Sequence, residues 1–556
     1  MKRIILTLST FILISVSFSQ KIKESVTADL YDKKLYSGMQ WRSIGPWRAG
    51  RCLAVTGIPG NPLVYYAGQV GGGVWKTVDA GNTWLPVSDS NFTSSSVGAV
   101  AVSKTNTNIV FAGMGEVEMR SNISFGDGVY RSTDAGKTWK HVGLEKTNAI
   151  GTIIVHPNNE NIVYVAAMGK IFASNKERGV YRSLDGGNTW KNILFVDDST
   201  GCADIKMDPT NPLVLYASMW QAHRTPYSLV SGGKGSGLYK STDGGDTWKS
   251  ISENPGMPRG IKGKIICTVS AVNPNKIFAI VENQNGGVFV SNDAGSTWSI
   301  ASKMNDLTQR PWYFSQIFAD PKNENVLYVL NVEFFKSIDG GSSWNKIQNH
   351  HGDNHDMWIN PENSSNWIMG DDGGPEVTFD GGKNFSDVDL PTGQFYHVTL
   401  DNDFPFGVYG PQQDNSSIKI KSATANGNID LGDWYPVAGG EAGYIVSDPL
   451  NSDITYGGEY DGQLTTYNKK TDQYRFVSVY PELHSGEGAI VHKYRFNWTM
   501  PIVFSPHDPK MLYCTSNYVH RTTDGGQTWQ DISPDLTRHD PKTLQPSGGP
   551  ISLDNT

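Results

Sequence analysis

The chain has 556 residues, of which 38% are hydrophobic, 18% charged and 11% aromatic. This composition excludes a disordered chain, which would be rich in charge and poor in aromatic side chains. The formal net charge of −8 gives no reason to expect a nucleic-acid partner. The 60 glycines and 16 tryptophans indicate many tight turns between short strands.

Residues 1–20 have the pattern of a secretory signal peptide. Lys2 and Arg3 precede an apolar run that ends at Phe18, and polar residues follow. This run is too short for a good membrane span, and no later stretch of about 20 apolar residues exists. We therefore expect an exported protein, periplasmic or extracellular, with no membrane span and with a short N-terminal segment at 21–40.

An eight-residue aspartate motif, Ser/Thr-x-Asp-x-Gly-x-Thr/Ser-Trp, organises the chain. Its first seven copies lie 41 to 58 residues apart, and a gap of 144 residues precedes the last. The copies are Thr77–Trp84, Ser132–Trp139, Ser183–Trp190, Ser241–Trp248, Ser291–Trp298, Ser337–Trp344, the degenerate Thr378–Phe385, and Thr522–Trp529. This period is typical of one four-stranded propeller blade.

The long gap has room for two blades without the motif, at about 395–422 and 443–479. The pattern predicts an all-β chain with about ten blades: a seven-bladed propeller at 41–390 and three further blades at 391–535. The second propeller would then be incomplete, with a polar tail at 536–556. A single ten-bladed ring is the alternative.

The aspartate motif is expected to be structural. A short aspartate side chain accepts hydrogen bonds from its own turn, and glycine allows a positive φ there. The tryptophan can fill the gap between neighbouring blades. Eight near-copies around a ring cannot all be one active site.

The four cysteines are predicted to be buried free thiols. Each lies in an apolar, strand-like run, and their spacing contains no CxxC metal signature. The four are Cys52, Cys202, Cys267 and Cys514.

The motif resembles the Asp box, or BNR repeat, of sialidases, sortilin-type receptors, xyloglucanases and photosystem assembly propellers. The longer phrases WRSIGPWRAGR, HHGDNHDMWINP and GQFYHVTLDNDFPFGVYGPQQDNS are similar to exported BNR-repeat proteins of Bacteroidetes that are often labelled glycosyl hydrolases. This resemblance implies a secreted propeller that acts on or binds polysaccharide, in a hydrolase-like or lyase-like way. A non-catalytic, sortilin-like propeller that binds an exported protein or peptide is the alternative, since a fold does not transmit an activity.

Propeller ligands usually bind on the face opposite the aspartate motif, where aromatic rings stack on sugars and polar groups bond to their hydroxyls. The loops expected on that face supply ten candidate substrate-binding residues. These are Arg48, Arg51, Gln69, Arg120, Trp220, His223, Arg224, Tyr396, Gln413 and Arg495.

The densest polar cluster on that face is the segment 349–356, which contains three of the twelve histidines. Its groups suit a histidine general base oriented by an aspartate, or a divalent cation near Asp353 and His355. A hydrogen-bonded polar plug is the competing interpretation. The candidate catalytic residues, two of them from a neighbouring loop, are His351, Asp353, His355, Asp356, Asp371 and Asp372.

Two family comparisons argue against specific chemistries. The xyloglucanase family carries a catalytic aspartate in a Thr-Asp-Val-Gly-Gly phrase of its first blade, where this chain has Gln69. Glutamine cannot act as an acid or base, so an inverting hydrolase, which needs two carboxylates, is put in doubt. The Arg-Ile-Pro opening of sialidases is also absent, since Trp47-Arg48-Ala49 stands there.

Overall fold

The computed structural model describes residues 31–388, 390–482, 484 and 486–553. The predicted signal peptide lies outside these residues. The described residues form forty strands in ten sheets, eight of them four-stranded, the fourth five-stranded and the seventh three-stranded. All strand pairs within the sheets are antiparallel, so the prediction of an all-β chain with about ten blades is confirmed.

Blades one to three are regular four-stranded meanders. Blade one comprises β1 (Cys52–Ile58), β2 (Asn61–Gln69), β3 (Gly73–Thr77) and β4 (Leu85–Pro86). Blade two comprises β5 (Val97–Val102), β6 (Val110–Met114), β7 (Val129–Ser132) and β8 (Lys140–His141). Blade three comprises β9 (Ile150–Val155), β10 (Val163–Ala167), β11 (Gly179–Ser183) and β12 (Lys191–Leu194).

Blade four carries an extra hairpin strand, β15, on its long second strand. It comprises β13 (Thr200–Met207), β14 (Leu215–Thr225), β15 (Ser228–Ser231), β16 (Gly237–Ser241) and β17 (Lys249–Ser250). Blade five comprises β18 (Ile265–Val269), β19 (Ile277–Val281), β20 (Gly287–Ser291) and β21 (Ser299–Ser302). Blade six comprises β22 (Gln316–Ala319), β23 (Leu327–Leu330), β24 (Phe334–Ser337) and β25 (Asn345–Ile347). Blade seven comprises β26 (Asn354–Ile359), β27 (Trp367–Asp371) and β28 (Gly374–Thr378).

Blades eight to ten follow in the same order of strands. Blade eight comprises β29 (Thr399–Leu400), β30 (Gly407–Gln412), β31 (Ser416–Lys421) and β32 (Trp434–Pro436). Blade nine comprises β33 (Ile445–Asp448), β34 (Asn451–Gly458), β35 (Leu464–Asn468) and β36 (Gln473–Phe476). Blade ten comprises β37 (Ile502–Phe504), β38 (Leu512–Thr515), β39 (Val519–Thr522) and β40 (Gln530–Asp531).

The helices of the described residues are six single turns of 3₁₀ type. They are Lys33–Tyr36, Asn305–Thr308, Leu431–Asp433, Tyr460–Gly462, Ala489–Val491 and Pro541–Thr543. None of them is long enough to cross a membrane. The first belongs to a separate compact unit that ends at Ser43, and everything from Ile44 onward forms the second unit.

The first seven blades close into a ring. The innermost strands of consecutive blades pack together, and β26 of blade seven packs against β1 of blade one. The backbone N–H of Val55 donates to the Asp356 carboxylate at 2.9 Å across this junction. A Cβ at Gly57 would meet the Trp358 ring at 2.3 Å, so glycine permits the close approach of the two blades. The domain boundaries at 390 and 535 stay predictions.

The core is divided into layers between adjacent blades. One cluster joins Tyr66 and Val74 of blade one to Val110 and Tyr130 of blade two, and similar clusters follow around the ring. A further cluster packs blade nine against blade ten. All four cysteines are buried and free, as predicted.

The aspartate motif closes the turn between the third and fourth strands of its blade. Asp185 accepts hydrogen bonds from the Thr189 backbone N–H at 2.9 Å and from the Thr189 hydroxyl at 2.7 Å. The Trp190 indole N–H donates to the Val142 carbonyl of the preceding blade at 2.7 Å. Each motif therefore closes its own turn, and the tryptophans Trp139, Trp190 and Trp529 also bond to the preceding blade.

The segment after blade ten returns to the fourth blade. Its backbone carbonyls at Ser547 and Gly549 accept hydrogen bonds from the N–H groups of Leu229 and Ser231, at 2.7 and 2.8 Å. The residues after 536, predicted only as a polar tail, thus run along the edge of β15.

Candidate functional site

A cleft of about 520 Å³ lies between the ring and blades eight to ten. The ring supplies loops from the face opposite the aspartate motifs, and the later blades supply the facing wall. Six of the predicted site residues line it: Arg51, Arg120, Arg224, Asp353, Tyr396 and Gln413. The segment after blade ten contributes Gln545 and Ser547 to one side.

A buried charge network forms the floor of the cleft. Arg51 makes two hydrogen bonds of 2.8 Å to the carboxylate of Asp372 and one of 2.6 Å to Asp414. Its remaining terminal nitrogen donates to the Gln394 side-chain oxygen at 2.8 Å. On the other side of Asp372, the His355 Nε2 lies 2.6 Å from the same carboxylate. One guanidinium therefore joins blade seven to blade eight.

Three carboxyl groups meet at this point with different affinities for a proton. The nearest oxygens of Asp353, Asp372 and Asp414 all lie within 4.8 Å of one another. Burial and the charge of Asp372 raise the pKa of Asp353 to about 6 and that of Asp414 to about 8. Burial opposes ionisation of Asp372 too, but Arg51 and His355 hold its pKa well below the ordinary range. At neutral pH, Asp414 therefore keeps a proton beside an ionised Asp372, and environments that separate pKa values in this way are typical of acid–base sites.

Two buried carboxyl groups accept hydrogen bonds from the loop that carries Asp353 and so hold it in position. The Asn349 amide donates to the Asp371 carboxylate at 3.0 Å, and the His350 backbone N–H donates to Glu376 at 3.0 Å. Burial raises the pKa of Glu376 to about 7 and that of Asp371 well above its ordinary value. Asp371, predicted as a catalytic residue, is buried away from the cleft and supports this loop.

Aromatic side chains form the opposite wall. The rings of Tyr460 and Trp498 are stacked, with centroids 4.9 Å apart and planes inclined by 19°. The Trp498 indole N–H donates to the Tyr396 hydroxyl at 3.1 Å, and that hydroxyl donates to Gln413. Trp498 is 40% exposed, so its outer surface is open to a ligand. We call Tyr460, Trp498 and Tyr396 the aromatic wall.

Four other predicted residues do not line the cleft, and their side chains instead hold neighbouring blades or backbone segments together. His351 contacts the Asp414 carbonyl oxygen through Nε2 at 3.0 Å and so joins blade seven to blade eight. Asp356 faces β1 and closes the ring. Gln69 is fully buried, and its amide nitrogen, oriented to suit its neighbours, donates to the carbonyls of Gly50 and Arg51. Arg48 donates to Gln412 at 2.8 Å beside the Trp434 ring.

Besides Arg48 and Gln69, three further predicted substrate-binding residues do not line the cleft. Trp220 is fully buried within β14, where its indole N–H donates to the Ser231 hydroxyl at 3.2 Å, so its ring cannot stack on a sugar. His223 pairs with Val230 inside the hairpin. Arg495 donates to Asp535 at 2.8 Å and ties blade ten to the segment that follows it.

Several cleft residues were not singled out from the sequence. Asp414 and Tyr460 lie in loops that were expected on this face, but neither was assigned a role. Arg310, Glu441 and Trp498 lie in connections without a motif. A single acidic or aromatic residue in a loop is an ordinary surface feature, and only its neighbours across the cleft give it significance.

The divalent cation considered near Asp353 and His355 does not fit these contacts. Both oxygens of Asp372 already accept hydrogen bonds from Arg51, and one of them also faces His355. The guanidinium supplies the positive charge that a metal would bring to the three carboxyl groups. We therefore derive no step through a metal.

Another buried acid, Glu282, forms hydrogen bonds that hold the β14–β15 hairpin, which carries Arg224. Its carboxyl group accepts hydrogen bonds from the Ser231 hydroxyl at 2.7 Å and from the Lys264 backbone N–H at 2.8 Å. Burial raises the pKa of Glu282 to about 7. In the unfolded chain this carboxyl group ionises near pH 4.5. Between pH 4.5 and pH 7, Glu282 is therefore protonated in the folded state and ionised in the unfolded state.

Stability is therefore expected to fall as pH rises from about 4.5 through about 7, by up to about 3 kcal/mol from this group. Glu282→Gln keeps an oxygen that accepts both hydrogen bonds but cannot ionise. Urea unfolding at pH 4.5 and pH 8 is expected to show a smaller loss of stability in the variant than in the wild type. Equal losses in the two proteins would contradict the assignment.

Comparison with known proteins agrees with this architecture. The family described as Sortilin, neurotensin receptor 3, matches residues 127–285. Xyloglucanase Xgh74A of Acetivibrio thermocellus is 24% identical over 325 residues, which cover 51% of this chain and 36% of that protein. A xyloglucanase of Paenibacillus sp is 24% identical over 330 residues, covering 51% of this chain and 30% of that protein.

Among solved structures, the GH74 xyloglucanase from Xanthomonas campestris superposes with a TM-score of 0.51 at 15% identity. The match covers 89% of this chain and 95% of that one, and it shows the fold alone. The chain is thus similar to glycosyl-hydrolase-like and sortilin-type propellers. It spans about a third of the length of the curated relatives it matches.

Proposed function

We propose that this protein is an exported propeller that binds a polysaccharide chain in the cleft and hydrolyses a glycosidic bond there. The proposal is carried by one observation: the aromatic wall and two carboxyl groups of different proton affinity, Asp353 and Asp414, line the same cleft. A binding module needs only the aromatic groups, whereas an enzyme also needs two titratable groups close together. The similarity to xyloglucanases supports polysaccharide as the substrate class.

The two carboxyl groups divide the work of glycoside hydrolysis. Asp414 holds its proton at neutral pH and can donate it to the oxygen of the leaving sugar. The nearest oxygens of Asp353 and Asp414 lie within 4.8 Å, close to the separation of about 5 Å in retaining enzymes. The Asp353 carboxylate therefore attacks the anomeric carbon as the protonated leaving sugar departs. Water, deprotonated by Asp414, then breaks the resulting ester and restores both carboxyl groups. Asp372 stays ionised between them, and its charge keeps the Asp414 proton in place.

This assignment does not depend on Gln69. That residue occupies the position of the xyloglucanase aspartate in sequence, but it is fully buried under Gly50 and Arg51. The carboxyl groups of the cleft come instead from the loop before β26 and the turn after β30. A lyase is less well supported, because the His355 imidazole is buried against Asp372.

Membership of the exported Asp-box family of Bacteroidetes is part of the same proposal. Its support is the set of eight aspartate motifs and the three longer phrases noted above. Export is supported by the basic start and apolar run at 1–20.

The first experiment is a glycan panel assayed for binding and for release of reducing ends, with residues 21–556 and a Trp498→Ala variant. Removing the stacking surface is expected to weaken glycan binding by about tenfold, equivalent to about 1.4 kcal/mol. Phe404→Ala is the matched control, since Phe404 is fully exposed on blade eight and does not line the cleft. Binding of an exported peptide, with no glycan bound or cleaved, would favour the sortilin-like alternative.

A further inference from the structure

Three arginines from three different blades enter the cleft beside Arg51. Arg120 lies in the loop after β6, Arg224 lies on β14, and Arg310 lies in the connection before β22. Each comes from a separate part of the ring, so their convergence is a property of the closed propeller. The same cleft is also lined by carboxyl groups, so an anionic ligand would bind at the arginines themselves and would not be attracted by the cleft as a whole. These carboxyl groups belong to Asp353, Asp414, Glu441, Asp461 and Glu487.

Two of these arginines are held in place by the fold. Arg120 forms an ion pair with the buried Glu116, and its other terminal nitrogen donates to the Asn122 side chain at 2.9 Å. The backbone N–H of Arg224 donates to the Ile171 carbonyl at 3.0 Å, and its side chain is only 8% exposed. Burial, followed by the charge of Arg120, lowers the pKa of Arg224 to about 10, and both residues line the same cleft.

Arg310 differs from the other two in its surroundings, because its charge favours the ionised form of Asp353 and also acts on Tyr460. It makes no hydrogen bond or ion pair with the residues that the structure describes, and its side chain is exposed to the cleft. Its backbone carbonyl accepts hydrogen bonds from Tyr313 and Phe314, and its φ of 40° lies in the left-handed region.

We infer that the cleft takes an acidic polysaccharide, whose carboxylate or sulfate groups bind to Arg310 together with Arg224. Guanidinium groups bind both anions through paired N–H donors. The aromatic wall on the facing side would hold the sugar ring while the arginines hold its charged substituent. This inference rests on the proposed function and adds the charge of the substrate to it.

The test compares glycans that differ in charge, including one pair, polygalacturonate and its methyl ester, that share a backbone. Binding of polygalacturonate is measured against its methyl-esterified form, a sulfated galactan and neutral xyloglucan, at low and high salt. At least one charged glycan is expected to bind about tenfold more tightly than the neutral ones, with an affinity that falls as salt is added. Comparing polygalacturonate with the sulfated galactan shows whether the cleft binds a carboxylate or a sulfate group.

Arg310→Gln is expected to weaken binding of the charged glycan about tenfold and to leave binding of xyloglucan unchanged. Arg310 is exposed, so the variant should fold. Arg259→Gln, at an exposed arginine outside the cleft, is the matched control. Equal binding of charged and neutral glycans, or no effect of Arg310→Gln, would overturn the inference while the proposed function stands. If no glycan binds at all, both proposals fail.

Discussion

Asp414→Asn is expected to reduce the kcat/KM for polysaccharide hydrolysis by about 10²- to 10⁴-fold, the usual contribution of a general acid. Asparagine has nearly the same shape, and it tolerates the φ of 65° that Asp414 adopts. The variant should therefore fold and still bind the glycan. The substitution removes the proton that the leaving sugar needs, together with one of the two hydrogen bonds that the carboxyl group accepts from Arg51 and Gln413.

The pH profile provides an independent readout of the same residue. With a pKa of about 6 at Asp353 and about 8 at Asp414, wild-type activity should be greatest between these values. Activity falls below the range because Asp353 gains a proton, and above it because Asp414 loses one. In Asp414→Asn the alkaline limb should disappear.

Substrate choice and a control variant complete this test. An aryl glycoside with a good leaving group needs little protonation, so Asp414→Asn should impair its hydrolysis much less than that of the polysaccharide. Asp461→Asn removes another carboxylate of the cleft, and its φ of 57° also suits asparagine. If the kcat/KM of Asp414→Asn for the polysaccharide stays within threefold of the wild-type value, Asp414 is not the general acid.

The second large effect is expected at Arg51, which is 5% exposed and joins Asp372 to Asp414. Arg51→Met removes the cation and leaves the buried Asp372 carboxylate without its main partner. Breaking a buried ion pair from one side typically costs about 3–5 kcal/mol of unfolding free energy. Denaturant unfolding at pH 7 measures this loss directly.

A second substitution separates charge from packing. In the background of Arg51→Met, Asp372→Asn removes the stranded carboxylate, so the double variant is expected to regain part of the lost stability. Arg51→Lys keeps a positive charge but has no paired donors, and it should fall between wild type and Arg51→Met. A loss below about 1 kcal/mol in Arg51→Met would mean that Asp372 finds another partner.

The blade pattern was readable from the sequence because the interactions that create it are local. Asp185 and Thr189, four residues apart, close a turn by themselves, and the same eight-residue phrase recurs at the spacing of a blade. Counting these turns and the strand-like runs between them predicted ten blades, including two that lack the motif. The loops that face the cleft followed from the same regular order of strands.

The sequence was less informative about which way a side chain points. Trp220 and Gln69 lie in loops or strand ends that were expected on the binding face, and both are fully buried. Both residues lie on the second strand of a blade, in runs of consecutive buried residues, so apolar and polar residues do not alternate there in a way that reveals the exposed face. Arg120, Arg224 and Asp353 were chosen by the same reasoning and do line the cleft.

The sequence by itself determined the class of fold, the number of blades and the face on which the cleft lies. Only the tertiary structure decided which groups meet there. Arg51 and Asp372 are 321 residues apart in the chain, and Tyr396 and Trp498 are 102 apart, yet each pair is in direct contact. Such contacts depend on closure of the ring and on the placement of blades eight to ten beside it. The proton affinities of Asp353 and Asp414 arise from that same convergence, because burial and a neighbouring charge act only after the blades have packed.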